Sequence, residues 1–299
     1  MDWSKAKNIL IVAFIATNVF LIYNVQSRLF RQEEMQLISD KYISNVEQHL
    51  NDNNIELDVH IPREIISLPI LVVRYKTFDS DNIAKSFLGK DNEKQIPTLE
   101  DKILKREIFK STDKELIVES SKRLTYKNMS TEKKNYSLNE KTVKKISNDF
   151  LKQYNLMGED IELAQIYYGT EDEFEDEFVY KLVYNQTYKN KFLGESYIHV
   201  YVSNRGVIGF EAMLLEYEKT QQHKKQIIPA PEALMRATST ILRENEEPII
   251  VKDIEIGYYF SPTYYMESDW KEIESGTAFP SWKITIQNGK TYFIEAYKN

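Results

Sequence analysis

The sequence predicts an α+β protein: an N-terminal transmembrane helix with an amphipathic stalk, then helix-plus-antiparallel-meander units. Three observations carry that reading. The opening "MDWSKAKNILIVAFIATNVFLIYNV" holds an apolar run from Ile9 to Tyr23. Beyond it, helical periodicity gives way to strand-like alternation three times, without βαβ repetition. Tight-turn signals join neighbouring strand segments, the strongest being Asn288-Gly289. A chain of 299 residues that is 28% charged and 42% hydrophobic, with a formal net charge of -7, reads as globular and excludes a basic nucleic-acid binder.

The apolar run is near the lower limit for a membrane span. Trp3 and Tyr23 are separated by about 30 Å along a helix, which puts one aromatic at each membrane interface. "NVQSRLFRQEEMQ" offers no small-x-small cleavage site, and a chain without cysteine has no lipobox, so an uncleaved anchor is expected. Lys5 and Lys7 flank one end and Arg28 and Arg31 the other. With that near balance, the short tail is expected in the cytoplasm and the large C-terminal part outside. The lack of cysteine fits an exported bacterial domain without disulfides.

From Arg28 to Leu50, the residues Met35, Ile38, Tyr42, Val46 and Leu50 recur every three or four positions, predicting an amphipathic stalk that "NDNN" ends. A strand follows from about Leu68 to Tyr75. A short helix capped by Asp79 or Ser80 closes at Gly89. "KDNEKQIPTLED" reads as a loop, then strands near 103–110, 114–119 and 122–127. "NMSTEKKNYS" is the linker candidate, dividing the exported part into domains 58–134 and 135–299 after an anchor (1–27) and stalk (28–57). Ser137 and Glu140 form a capping box before "KTVKKISNDFLKQYNL". Strands are expected at "IELAQIYYG", "EFVYKLVYNQTY", "SYIHVYV" and "GVIGFEAMLLEY", the last two joined at Ser203–Gly206. Pro231 takes the first position of the next helix, and "VKDIEIGYYF", "SWKITIQ" and "KTYFIEAY" return to strand.

Chemistry is sparse. None of the four histidines stands in a metal-binding motif, and no P-loop, G-x-S-x-G or G-x-G-x-x-G occurs. No catalytic, cofactor-binding or metal-ligating residue is expected. His199 alternates with Tyr197 and Tyr201, opposite Ile198, Val200 and Val202, as on a sheet surface. "EDEFEDEF" at 171–178 suits a cation or a basic partner, or is a solvated acidic loop without calcium-loop spacing. "GYYFSPTYY" at 257–265 lines a ligand groove or is sheet face and loop. Within the apolar run, Asn18 needs a hydrogen-bonding partner in lipid. Ala6, Ala13, Thr17 and Asn24 share one helical face, a small and polar stripe suited to another membrane helix, including a second copy of the chain.

"MDWSKAKNILIVAF…NVFLIYN" resembles the N-terminus of the YycI family. The closing "FPSWKITIQNGKTYFIEAYKN" resembles that family's pattern of Pro280, Trp282, Ile284, Gly289, Tyr292 and Phe293. "YNQTYKN" and "IIPAPEAL" are similar more loosely, and residues 60–135 add little. The resemblance implies a single-pass, non-enzymatic regulator of the WalK/WalR (YycG/YycF) two-component system. It implies contact with the sensor kinase WalK and with YycH, through transmembrane and extracytoplasmic surfaces, and no cofactor. Two alternatives from other classes are an exported PepSY-like module that binds a peptide or protein and an anchored cell-wall enzyme. A groove beside an open sheet edge would favour the first, convergent carboxylates in a deep cleft the second.

Overall fold

Helical stripes and alternating strands place helices on one face of each half of a mostly antiparallel sheet. The computed structural model describes residues 13–21, 37–133, 137–171, 174, 177–221, 223–245, 248–261 and 270–297. The described helices are α1 (13–21), α2 (Asp40–Asp52), α3 (Ser80–Leu88), α4 (Leu99–Ile103), α5 (Glu140–Gln153) and α6 (Ala230–Glu244). The strands run β1 (Ile55–Leu57), β2 (Ser67–Leu68), β3 (Leu71–Tyr75), β4 (Glu93–Lys94), β5 (Arg106–Ser111), β6 (Lys114–Glu119), β7 (Arg123–Asn128) and β8 (Ile161–Thr170). They continue as β9 (Phe178–Thr187), β10 (Phe192–Ser203), β11 (Gly206–Met213), β12 (Leu215–Thr220), β13 (Lys225–Gln226), β14 (Ile249–Tyr259), β15 (Ser275–Ile286) and β16 (Thr291–Glu295).

The α+β class holds. One sheet of 14 strands runs β12-β3-β15-β14-β10-β11-β7-β6-β5-β4, with β9 and then β8 beside β10, β16 beside β15, and β1 beside β14. Its pairings are antiparallel except β1 with β14 and β10 with β14, two short parallel contacts that the antiparallel meanders predicted from the sequence do not include. β7 pairs with β11, and β3 lies between β12 and β15, so strands from either side of residue 134 share the sheet.

Two helix-on-sheet cores result. α3 and α5 cover β5–β7 and β9–β11, burying Phe87, Val143, Leu151, Ile198, Val200 and Val202. α2 and α6 cover β14–β16, burying Leu50, Leu234, Ile241, Trp282 and Ile284. The amphipathic segment expected as a stalk is thus, over its described part, a piece of this second core. Ile38, Val46 and Leu50 are buried as the stripe requires, but Ile43 takes the inward place and Tyr42 stays exposed.

Several boundaries differ from expectation. α5 is capped by Asn139, whose side chain accepts the Thr142 N–H at 3.0 Å, rather than by Ser137. The helix starts at Glu140, so a Ser137 cap would sit two residues too early. Pro229 is the N-cap of α6, which puts Pro231 second in the helix. The strand expected at 68–75 breaks at Pro69, because proline lacks a ladder donor. The loop at 90–101 contains β4 and the start of α4, whose Thr98/Asp101 capping box the sequence does carry. Among the described residues no helix is long and apolar enough to cross a membrane; the expected span is described only at 13–21, where it is helical.

Candidate functional site

Trp3, Ala6, Tyr23 and Asn24 lie outside the described residues, while Ala13, Thr17 and Asn18 lie on α1. Thr17 Oγ1 donates to the Ala13 carbonyl and Asn18 Nδ2 to the Phe14 carbonyl, both at 2.9 Å. Each polar group is therefore partly satisfied one turn back along its own helix, which lowers its cost in an apolar setting.

The larger site is a groove of about 1140 Å3 on the sheet face opposite α5. β8, β9 and β10 form one wall, and β14, β15 and β16 the other. The walls meet where Leu193 and Gly194 pair with Tyr258 and Tyr259. They approach again where Tyr167 on β8 faces the β15–β16 turn, since a Cβ added at Gly289 would come 3.2 Å from the Tyr167 hydroxyl. β9 lines the groove with alternate residues, such as Lys181, Val183 and Asn185. β8 lines it with nearly every residue from 162 to 171. Among the described residues β8 pairs with β9 alone, and it borders the cavity along its length.

An irregularity in β10 shapes the floor. Phe192 pairs with Thr187 and Tyr197 with Asn185, so residues 193–196 oppose Gln186 alone. The buried Gln186 carboxamide fills this gap. Its Oε1 accepts the Leu215 N–H at 3.0 Å and the Ser196 hydroxyl. Its Nε2 donates to the Leu215 carbonyl at 2.8 Å and to Asp160 at 2.6 Å. Glu195, held at φ 69, reaches into the groove and accepts the Tyr259 hydroxyl at 2.7 Å. Burial pushes its carboxyl above the usual carboxylate range, against that hydrogen bond. The Tyr259 ring stacks on Phe293, with centroids 4.2 Å apart. Gly194 leaves room for it, since a Cβ there would lie 2.6 Å from the ring.

His199 lies further along β10, on the face opposite Ile198 and Val200 as expected. Burial, with Lys181 adding to it, pushes its imidazole down to about 4, opposed by Glu211 at 3.9 Å. Glu211 also accepts from the Tyr197 hydroxyl at 2.6 Å and from Arg123 at 3.0 Å. In the acidic 171–178 stretch the described carboxylates are ion-paired, Glu171 with Lys181 and Glu177 with Arg205, and Phe174 packs on Tyr201. No group of three or more His, Cys, Asp or Glu among the described residues could hold a metal ion. Of "GYYFSPTYY", Tyr259 lines the groove while Tyr258 and Phe260 are buried.

Of the C-terminal sequence pattern, Trp282, Ile284 and Tyr292 are buried in the core beneath α6, while Gly289 and Phe293 line the groove. Trp282 Nε1 donates to the Ile228 carbonyl at 2.9 Å, Ile228 N–H to Ala296 at 2.7 Å, and Ala296 N–H to Pro280 at 2.8 Å. "YNQTYKN" supplies Tyr184, bonded to Ser147 on α5, then Gln186, then a turn with Lys189 and Asn190 at positive φ. These stretches hold the two helices onto the sheet and shape the groove floor.

Fold and groove together define a class: an α+β protein of helices laid on antiparallel meanders, with an open groove between two sheet walls. Within that class the chain belongs to the YycI family, whose model, described as YycI protein, matches residues 33–297. An uncharacterised protein from Eubacterium rectale shares the fold at TM-score 0.51 and 11% identity, over 82% of this chain and 90% of that one. The YpeB C-terminal domain of Bacillus megaterium aligns at TM-score 0.35 and 12% identity, over 74% of this chain and 94% of that one. No curated protein matches the chain. The family suggests a role in regulating the WalK/YycG two-component system.

Proposed function

We propose that this chain is a membrane-anchored, extracytoplasmic, non-enzymatic regulator that modulates a WalK/YycG-like sensor histidine kinase controlling cell-wall homeostasis. It acts with YycH through transmembrane and extracytoplasmic contacts. The observation that carries this reading is the YycI match over residues 33–297. The apolar run Ile9–Tyr23, with Asn18 in its middle and aromatic residues at both ends, supports the anchor and a helix–helix contact. The test is crosslinking in membranes that carry the tagged full chain at native level, followed by identification of the captured proteins. A WalK-like kinase and YycH should be enriched; capture of neither would sink the reading. A reporter active only outside the membrane, fused after Asn299, should be active, and activity of a cytoplasm-only reporter would reverse the orientation. The groove along the β8 edge, which no strand pairs among the described residues, favours a second reading, an exported module that binds a peptide or protein.

A further inference from the structure

The groove's shape and charge are more specific than that second reading requires. Its volume of about 1140 Å3 exceeds the ~300–1,000 Å3 of ordinary small-molecule pockets. One rim is the outer backbone edge of β8, which no strand pairs among the described residues; β8 is a ten-residue strand with neither lysine nor proline to discourage pairing. Such an edge offers N–H and C=O groups to an added strand. The floor holds Glu195, which no cation pairs among the described residues and whose hydrogen-bond donor is the Tyr259 hydroxyl. The lysines of the groove are already matched: Lys181 with Glu171, Lys252 with Asp58 and Lys283 with Glu255. A carboxylate without a cation, beside a stacked Tyr259–Phe293 pair, fits a ligand ammonium or guanidinium by charge and by cation–π attraction.

We propose that the groove binds an extended polypeptide segment as an added strand on β8, with an inward-facing lysine or arginine side chain reaching Glu195. Backbone pairing supplies sequence-tolerant affinity, and the alternation of side chains along the added strand sends every second one into the groove. Glu195 then selects a basic residue at one inward position. This rests on the binding-module reading and is independent of the kinase reading.

The experiment uses the full chain in detergent micelles and a capped hexapeptide of alternating valine and lysine as probe, followed by titration calorimetry. Three altered probes accompany it: one with acetylated lysines, one with alternate backbone nitrogens methylated, and one with the lysines replaced by alanine. Loss of a charge-assisted hydrogen bond should weaken binding about tenfold or more. That weakening is expected for the acetylated and alanine probes, and for Glu195→Gln with the parent probe. Backbone methylation should abolish binding. Glu195→Gln keeps the side-chain shape and its Tyr259 contact, and an unchanged thermal transition reports that it folds. Two results would overturn the proposal. Equal affinity of wild type and Glu195→Gln, with methylation still blocking, would leave a binding module without basic selection. Binding unaffected by methylation, or no binding at all, would remove strand addition and the module reading with it.

Discussion

His199 is a single residue whose environment sets a measurable pH response. Its imidazole is held neutral down to about 4, chiefly by burial, whereas in the unfolded chain it titrates near 6.5. Between those values the unfolded chain binds a proton that the folded chain refuses, so stability is full above pH ~6.5 and declines as pH falls toward 4. The loss is at most on the order of 3 kcal/mol. His199→Gln should flatten the slope of unfolding free energy against pH in that window. Glu195, whose shift has the opposite sign, is common to both proteins and cancels in the difference. Matching slopes in denaturant titrations at pH 4.5 and 7 would show that His199 is not the titrating group. Asn18 is the other residue-scale case. The Phe14 carbonyl takes one amide donor, leaving a second N–H and the carbonyl oxygen of the carboxamide for a facing helix. On the proposed contact with a membrane helix of the kinase or YycH, Asn18→Leu should weaken association several-fold, by ~0.6–2 kcal/mol, and Ala13→Leu should add to it by blocking close approach. A double mutant that still crosslinks like wild type would reduce α1 to an anchor.

Elements were legible where one local signal decided them. Asp79 and Gly89 bound α3 as read, with Gly89 at φ 90. β6 falls at 114–119 as expected. Gly289 closes the β15–β16 turn, but it alone of Asn288 and Gly289 has positive φ, so the loop is longer than a two-residue type I′ turn. The Lys189–Asn190 turn carries no glycine signal in the sequence, yet both residues take positive φ. At α5 two signals competed. Ser137 and Glu140 match a capping box in sequence, yet Asn139 makes the capping bond. Asn139→Ala should therefore cost about 1 kcal/mol, and Ser137→Ala only a few tenths on the same scale. The reverse order in thermal melts would restore the sequence-read cap. The groove was the least legible feature. Its residues come from six strands whose meeting depends on β10–β14 pairing, a contact between Leu193 and Tyr258 that no local pattern announces.

At the scale of the molecule, sheet order rather than sequence order decides what folds with what. Composition and the "NMSTEKKNYS" stretch suggested a break near residue 134, because local polarity marks a linker whatever the strands on either side do. The sheet joins those strands. β3 fills the place between β12 and β15, and Leu71, Val73 and Tyr75 are buried with Leu215, Phe260 and Ala278. β7 covers the edge of β11 through five residue pairs. Residues 135–299 alone would expose that edge and leave a slot where three side chains were buried. Losing a buried large side chain costs ~2–5 kcal/mol, so three of them approach the whole stability of a typical domain, ~5–15 kcal/mol. The fragment 135–299 should lack a cooperative thermal transition and associate through its open edges. Residues 37–299 should unfold in one step followed by tryptophan fluorescence and far-ultraviolet dichroism alike. A cooperative melt of 135–299 close to that of the longer chain would establish an independent domain there and confine the role of β3 and β7 to docking.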